Sequence, residues 1–211
     1  MRMRECVVGL LVLSSLCAAQ TAPTTKDAVE SAAVAKADYT TAQGAFKAFA
    51  RGVVAQDVKA MREAMTVAPE EKGIVDAVLG ATEGAARLEK AVGAKFGEAA
   101  VKELRNPGTL ELRMTAWLTM VDAAGVKNVG DSRVIYIFPE GPGGLPKSGS
   151  ITMDSVGSQW KVTATSVFNL GDAAIAEKMK AGIPTYVKMA AAYNDVAAEV
   201  EAGKHANEKS V

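Results

Sequence analysis

At Gly125 the chain changes texture. Over residues 39–105 it is rich in alanine, the strongest intrinsic helix former, and its large apolar residues recur every three or four positions. Beyond Gly125, residues 126–129 and 133–138 are dense in β-branched and aromatic side chains, which suit a pleated surface; the second run reads RVIYIF. Helices first and strands afterwards, without alternation, exclude a parallel βαβ architecture. They predict an α+β fold in which N-terminal helices precede an antiparallel sheet.

Each half carries its own punctuation. Thr41 is placed to cap a helix bearing Phe46, Phe49, Val53 and Val54, and Asp57 to cap a short second helix with Val58, Met61 and Met65. Pro69 followed by Glu70 and Glu71 marks the first turn of a third helix, because proline loses nothing there and carboxylates favour the positive end of the helix dipole. Its inward stripe is Ile74, Val78, Ala81, Ala85, Leu88 and Val92, and residues 98–104 continue as a further turn or two. Residues 109–125 fit either period: alternation places Leu110, Leu112 and Met114 on one strand face, whereas a helix gathers Leu110, Met114, Trp117 and Val121. The scarcity of β-branched residues favours the helix.

Two hairpins are expected next, one turning at Gly130-Asp131, the other pairing 150–154 with 159–168 around Gly157. In the last strand Trp160, Val162, Ala164 and Ser166 alternate with Lys161, Thr163, Thr165 and Val167, so one face of the sheet is covered. Asp172 caps a closing helix, Pro184 is expected to interrupt it, and Tyr186, Met189, Ala190, Tyr193, Val196, Ala197 and Val200 form the stripe of a second. The folded domain is therefore expected over 39–203, with 20–38 as a flexible linker and 204–211 as a disordered tail.

Residues 1–19 have the layout of a signal peptide: Arg2 and Arg4 at the start, an apolar run over 7–13, and a small-residue exit at Cys17-Ala18-Ala19. The run is too short for a bilayer, which needs about twenty residues. The expectation is an exported protein, periplasmic or extracellular, with no transmembrane segment in the mature chain. Acylation at Cys17 is the alternative, disfavoured by the bulky Leu16 before it. Both cysteines, Cys6 and Cys17, fall in this leader, so the mature chain holds neither disulfide nor thiolate. Removing Arg2, Arg4 and Glu5 from 24 basic and 24 acidic residues leaves 22 and 23, a balance that gives no electrostatic footprint for nucleic acid.

One stretch resembles a phosphate-binding loop. In EGPGGLPKSG, over 140–149, Gly141, Lys147 and Ser148 match G-x-x-x-x-G-K-S. Such a loop works through converging backbone N–H groups and the N-terminus of a helix that begins at the lysine. Here Pro146 replaces the second glycine and offers no N–H, and SGSITMD, which follows, reads as strand. No nucleotide is expected. The only histidine, His205, lies in the polar tail, away from any rigid scaffold for a triad or a metal site. Asp131 and Asp154 border strands and read as turn residues. No cofactor or metal is implied.

The segment AFKAFARGVVAQDVKAMREAM resembles the opening of the nuclear transport factor 2-like superfamily, in which a helix passes through a "GD" turn into a second helix. At Ala55-Gln56-Asp57 only the aspartate of that turn matches. VGDSRVIYIF and DSVGSQWKVTATSV are similar to the superfamily's strand pairs, and Gln159-Trp160-Lys161-Val162 to its "G-x-W-K-V" strand. The resemblance spans about residues 40–168, with a long third helix and a C-terminal helix added. It implies N-terminal helices packed on a curved antiparallel, cone-like sheet around a pocket, but not an activity, since members isomerise, dehydrate, cyclise or only bind. The Asp, His or Tyr sets of the enzymatic members find no match here.

On that expectation Tyr136 and Trp160, with Val134, Val162 and helix methionines, would line the cone, and Arg133 would anchor an anion. The plainer reading of the two aromatics is ordinary core, and Arg133 could equally face water. The function expected is a non-enzymatic module of the cell envelope that binds a small apolar ligand or an envelope protein. A small lyase or isomerase using a carboxylate and Tyr136 on a hydrophobic substrate is the alternative. An envelope scaffold meeting another helix through the stripe over 186–200 is a third.

Overall fold

The structure, a computed structural model, describes residues 37–105, 108–141 and 148–206. The leader expected over 1–19, the linker expected over 20–38 as far as residue 36, the central part of the glycine- and proline-rich connection at 142–147, and residues 207–211 lie outside the described residues.

The fold is α+β, with helices packed on an open five-stranded sheet. In chain order the helices are α1 (Ala42–Val54), α2 (Val58–Glu63), α3 (Lys72–Phe96), α4 (Glu98–Leu104), α5 (Thr109–Met120), α6 (Ala164–Phe168) and α7 (Ala173–Glu201). The strands are β1 (Met65–Thr66), β2 (Gly125–Asn128), β3 (Arg133–Phe138), β4 (Gly149–Val156) and β5 (Gln159–Thr163). Their order across the sheet is β1-β5-β4-β3-β2, antiparallel throughout except that β1 pairs with β5 in parallel.

The caps form where the sequence places them. Thr41 accepts a hydrogen bond from the Gly44 N–H at 3.0 Å, Asp57 from that of Ala60 at 3.0 Å, and Asp172 from those of Ala174 and Ile175. Residues 109–120 are helical, and Pro69 opens a 3-10 turn leading into α3. Strand β4 begins at Gly149, at the end of the phosphate-loop-like stretch, whose lysine lies outside the described residues.

Three local expectations are corrected. Strand β5 stops at Thr163 instead of running to Phe168: the Thr163 side chain accepts from the Ser166 N–H and starts the five-residue helix α6, which Asn169 ends at φ +56°. Ala164 and Ser166 therefore do not continue the alternation begun by Trp160 and Val162. Pro184 does not interrupt the closing helix either; α7 runs unbroken from Ala173 to Glu201. Pro184 is on its exposed side, where a carbonyl left unbonded meets water, while Ile183 faces Gly73 of α3. Third, the stripe over 186–200 is not free for a partner helix in its C-terminal half, because Ala197 and Val200 are buried with Leu88 and Val92 of α3.

Two separate hydrophobic clusters result. The larger is sandwiched between the sheet and α1, α3 and α5: Phe46, Phe49, Leu79, Met114, Trp117, Phe138, Ile151, Met153 and Val162 are fully buried there. Trp117 stacks on Phe138 with ring centroids 4.4 Å apart and planes 6° off parallel. A side-chain carbon at Gly149 would lie 2.7 Å from the Trp117 ring, so only glycine admits this stack. The smaller cluster joins the C-terminal half of α3 to α4 and α7 through Leu88, Ala91, Val92, Ala100, Ala197 and Val200. Helix α3 serves both, Val75 and Leu79 in one and Leu88 and Val92 in the other, so it buries two faces and not the single stripe its period predicts.

A charged cleft between two cores

The three residues expected to line a pocket are not brought together. Tyr136 is buried in the larger core between Phe46 and Phe138, with centroids 6.2 and 6.5 Å away, and burial raises its hydroxyl pKa. Trp160 is half-buried on the same face, but Tyr136 pairs with Ile151 and Trp160 with Ser155. Four residues of β4 therefore separate them, about 13 Å at strand rise. Val162 is fully buried beside Met153. Neither aromatic lines the clefts described below.

Arg133 alternates with Val134 and so points to the opposite, outer face of the sheet. Its guanidinium makes two bonds to Asp154, at 2.6 and 2.8 Å, and this pairing holds its pKa up. Asp154 is thus a strand residue in a cross-strand ion pair, not a turn residue; Asp131 does sit in the bend between β2 and β3. The pair borders an open polar cleft of ≈ 520 Å³ with Thr152, Thr163, Thr165 and Ser166. There the Ser166 and Thr163 hydroxyls are already spent on one another and on backbone, and Thr165 donates to Glu71. His205, expected in a solvated tail, is tucked back with its Nε2 3.4 Å from a Glu199 oxygen, while its carbonyl accepts from Lys95.

The site with the most unusual chemistry lies where the two cores fail to merge. A cleft of ≈ 370 Å³ opens between the ends of α1 and α4, the start of α5 and the middle of α3. Val53, Met61, Leu88, Leu104, Leu110 and the Tyr193 ring give it apolar walls. Its size and apolar character match those of small-molecule sites. Five residues with polar or charged side chains also line it: Gln56, Thr82, Glu89, Arg105 and Glu111, the Thr82 hydroxyl donating to the Val78 carbonyl.

Gln56, Arg105 and Glu111 are placed at element boundaries, whereas Thr82 and Glu89 stand within α3. Arg105 follows α4 in extended conformation, and its Nη2 reaches both the Glu111 carboxylate in the first turn of α5 and the Val54 carbonyl, 3.1 Å away, at the C-terminal end of α1. A cation there meets the negative end of the helix dipole. Its Nε lies 3.9 Å from Glu89, so one guanidinium serves two carboxylates. The side chains of Glu89 and Glu111 are only 20% and 17% exposed. Desolvation raises the Glu111 pKa above its ordinary value, outweighing the pull of Arg105, and the neighbouring Glu89 charge adds to the rise.

Gln56 occupies the turn from α1 to α2 with φ +54°, a left-handed conformation that favours glycine. Its Nε2 donates to Glu89 at 2.9 Å. A carboxylate there only accepts, so the amide nitrogen must face it and the amide oxygen must point away. That oxygen, Oε1, is buried and has no hydrogen-bond partner among the described residues. A buried unsatisfied acceptor costs about 1–3 kcal/mol. The Gln56 amide oxygen is thus sealed beside the cleft, whose polar lining is dominated by the Glu89, Arg105 and Glu111 charges above apolar walls.

Sequence reading missed this site because its members are far apart in the chain and individually ordinary. Glu89 lies among exposed charges of an amphipathic helix, and Arg105 and Glu111 stand on either side of a proline-glycine pair in the sequence. The one available signal was Gln56 in a turn where the resembled superfamily carries glycine. Among the described residues no three His, Cys, Asp or Glu side chains are arranged to hold a metal, and no helix is long and apolar enough to cross a membrane. Compared with known proteins, the chain matches no family model, no curated protein and no solved structure.

Proposed function

We propose that this is an exported, non-enzymatic binding module of the cell envelope that holds a small molecule in the cleft between α1, α3, α4 and α5. One observation carries the reading: an apolar-walled cavity of ≈ 370 Å³ into which folding brings the charged side chains of Glu89, Arg105 and Glu111 from three separate elements. The export component rests on the leader-like layout of residues 1–19. The relation to the nuclear transport factor 2-like superfamily belongs to the proposal as well; the helix-turn-helix opening followed by paired strands supports it.

The test is native mass spectrometry of the protein purified from its own envelope, beside the variant Ala85→Trp, which fills the cleft from its α3 wall. A bound species of a few hundred daltons present on the wild type and lost from the variant is the expected result. A species retained by the variant would place the ligand elsewhere.

A second reading, a small lyase or isomerase, is favoured by Glu111, a half-buried carboxyl with a raised pKa inside a cleft, as acid–base catalysts are. It differs from the enzymatic expectation drawn from sequence in its residue, since Tyr136 is sealed in the core. Turnover of the co-purified molecule that disappears in Glu111→Gln would replace the binding reading with this one.

A further inference from the structure

The polar cleft of ≈ 520 Å³ on the outer face of the sheet is separate from the cleft between the helices and differs from it in chemistry. Ile151 and Met153 are fully buried on the inner face, so Thr152 and Asp154, which alternate with them on β4, point outward. The Ser166 hydroxyl accepts from the Thr152 N–H and donates to the Thr163 carbonyl, which fixes α6 against β4 and β5 at one wall. Thr66 of β1 pairs with Thr163 and stands at the opposite wall.

The charges of this cleft are answered from within the protein. Both Asp154 oxygens accept from Arg133. Glu71 is 8% exposed, and its two oxygens accept from the Thr165 hydroxyl and the Ala68 N–H. The groups left open are of another kind: the Thr66 and Thr152 hydroxyls and the Asn169 amide have no partner among the described residues, and Arg133 Nη1 makes no bond. They come from β1, β4, β3 and the residue after α6. Thr152 and Asp154 are about 7 Å apart along β4, and Thr66 lies about two strand spacings from Thr152, close to 10 Å.

An apolar ligand finds little wall here, since Val67 and Ala68 are the only apolar side chains in the lining. An ammonium group finds the carboxylate oxygens already bonded, and an anion meets Asp154 beside the one guanidinium. A molecule carrying several hydroxyls fits, because each hydroxyl both donates and accepts and so matches threonine, amide and guanidinium groups spread over this width. We propose that the outer cleft binds a neutral saccharide through Arg133 Nη1, Thr152, Thr66 and Asn169. This site does not depend on the reading of the cleft between the helices.

The test is a chemical-shift titration of the isotope-labelled protein with maltose, mannose and N-acetylglucosamine, with 1-hexanol and hexylamine as apolar and cationic controls. At least one saccharide is expected to bind and to move the amide signals of Thr66, Thr152 and Asn169, while the controls leave them in place. Arg133→Ala should weaken that saccharide about tenfold, as expected for a hydrogen bond from a charged donor, and the isosteric Thr152→Val about fivefold. Ala85→Trp, in the other cleft, should leave it unchanged. The inference is overturned if none of the three saccharides binds, if a control binds as tightly, or if neither outer-face variant weakens binding. Loss of saccharide binding in Ala85→Trp would also overturn it, by placing the ligand between the helices.

Discussion

Gln56 offers a test in which two substitutions remove the same contact but differ in backbone strain. Its φ of +54° costs a residue with a side chain about 1–2 kcal/mol relative to a right-handed conformation. Gln56→Ala keeps that cost, and it loses the hydrogen bond to Glu89 while removing the unsatisfied amide oxygen, two effects of about 1–3 kcal/mol that oppose one another. Gln56→Gly loses the same bond but relieves the strain, less the roughly 0.5–1 kcal/mol by which glycine gains freedom in the unfolded chain. The glycine variant should therefore be more stable than the alanine variant by about 1 kcal/mol, or 2–4 °C in Tm for a domain of this size. Urea unfolding of the two variants in parallel reads the difference directly, with equal m-values confirming that the unfolded states are comparable. An alanine variant as stable as the glycine variant would mean that position 56 is not left-handed.

Gly149→Ala should destabilise the protein by about 1–3 kcal/mol, because the added carbon falls 2.7 and 2.8 Å from Trp117 ring atoms that are locked against Phe138; near-ultraviolet circular dichroism should register the displaced indole. Glu111 should make the protein less stable as pH rises. Its folded pKa lies above the ordinary 4.5, so in the window just above 4.5 the folded state holds a proton that the unfolded state has released. The contribution is fully present below 4.5 and is lost as pH passes the folded value; Glu111→Gln should flatten that descent, and a wild-type stability that rises relative to the variant through the window would contradict the assignment. Arg133→Ala should change stability by less than about 1 kcal/mol despite its two short bonds, since the side chain is half exposed and such surface pairs contribute little; a larger loss in thermal unfolding would show the outer face to be less solvated than its geometry indicates.

The elements readable from sequence are those whose signal is local. Caps at Thr41, Asp57 and Asp172, the proline start at Pro69 and the β-branched run 133–138 each act within a few residues, and each is where the sequence puts it. The departures come where tertiary contact overrides local preference. Pro184 stays inside α7 because that helix is held along α3, with Gly84 approaching the Ala190 carbonyl so closely that a side-chain carbon would lie 3.0 Å from it. The pocket expected behind Tyr136 and Trp160 was a fair inference from alternation, which reports the covered face of a sheet but not whether the cover leaves a void. Here Phe46, Met114, Trp117 and Met153 fill that space.

The same filling explains where the cleft does open. A residue inside the larger core must be apolar, and the helices α1 and α5 that cover the sheet are spent on doing so. Helix α3 is 25 residues long, more than the sheet can cover, and its far half finds α4 and α7 instead. Between these two packings its surface at Thr82, Ala85 and Glu89 meets neither cluster squarely. Polar groups are tolerated there because partial hydration persists, and Arg105 ties the two halves together by bonding both to the end of α1 and to the start of α5. A site built at such a seam inherits apolar walls from both cores and charge from the junction. That combination suits a ligand with an aliphatic body and a charged head, whereas a pocket closed under the sheet would have excluded the charge.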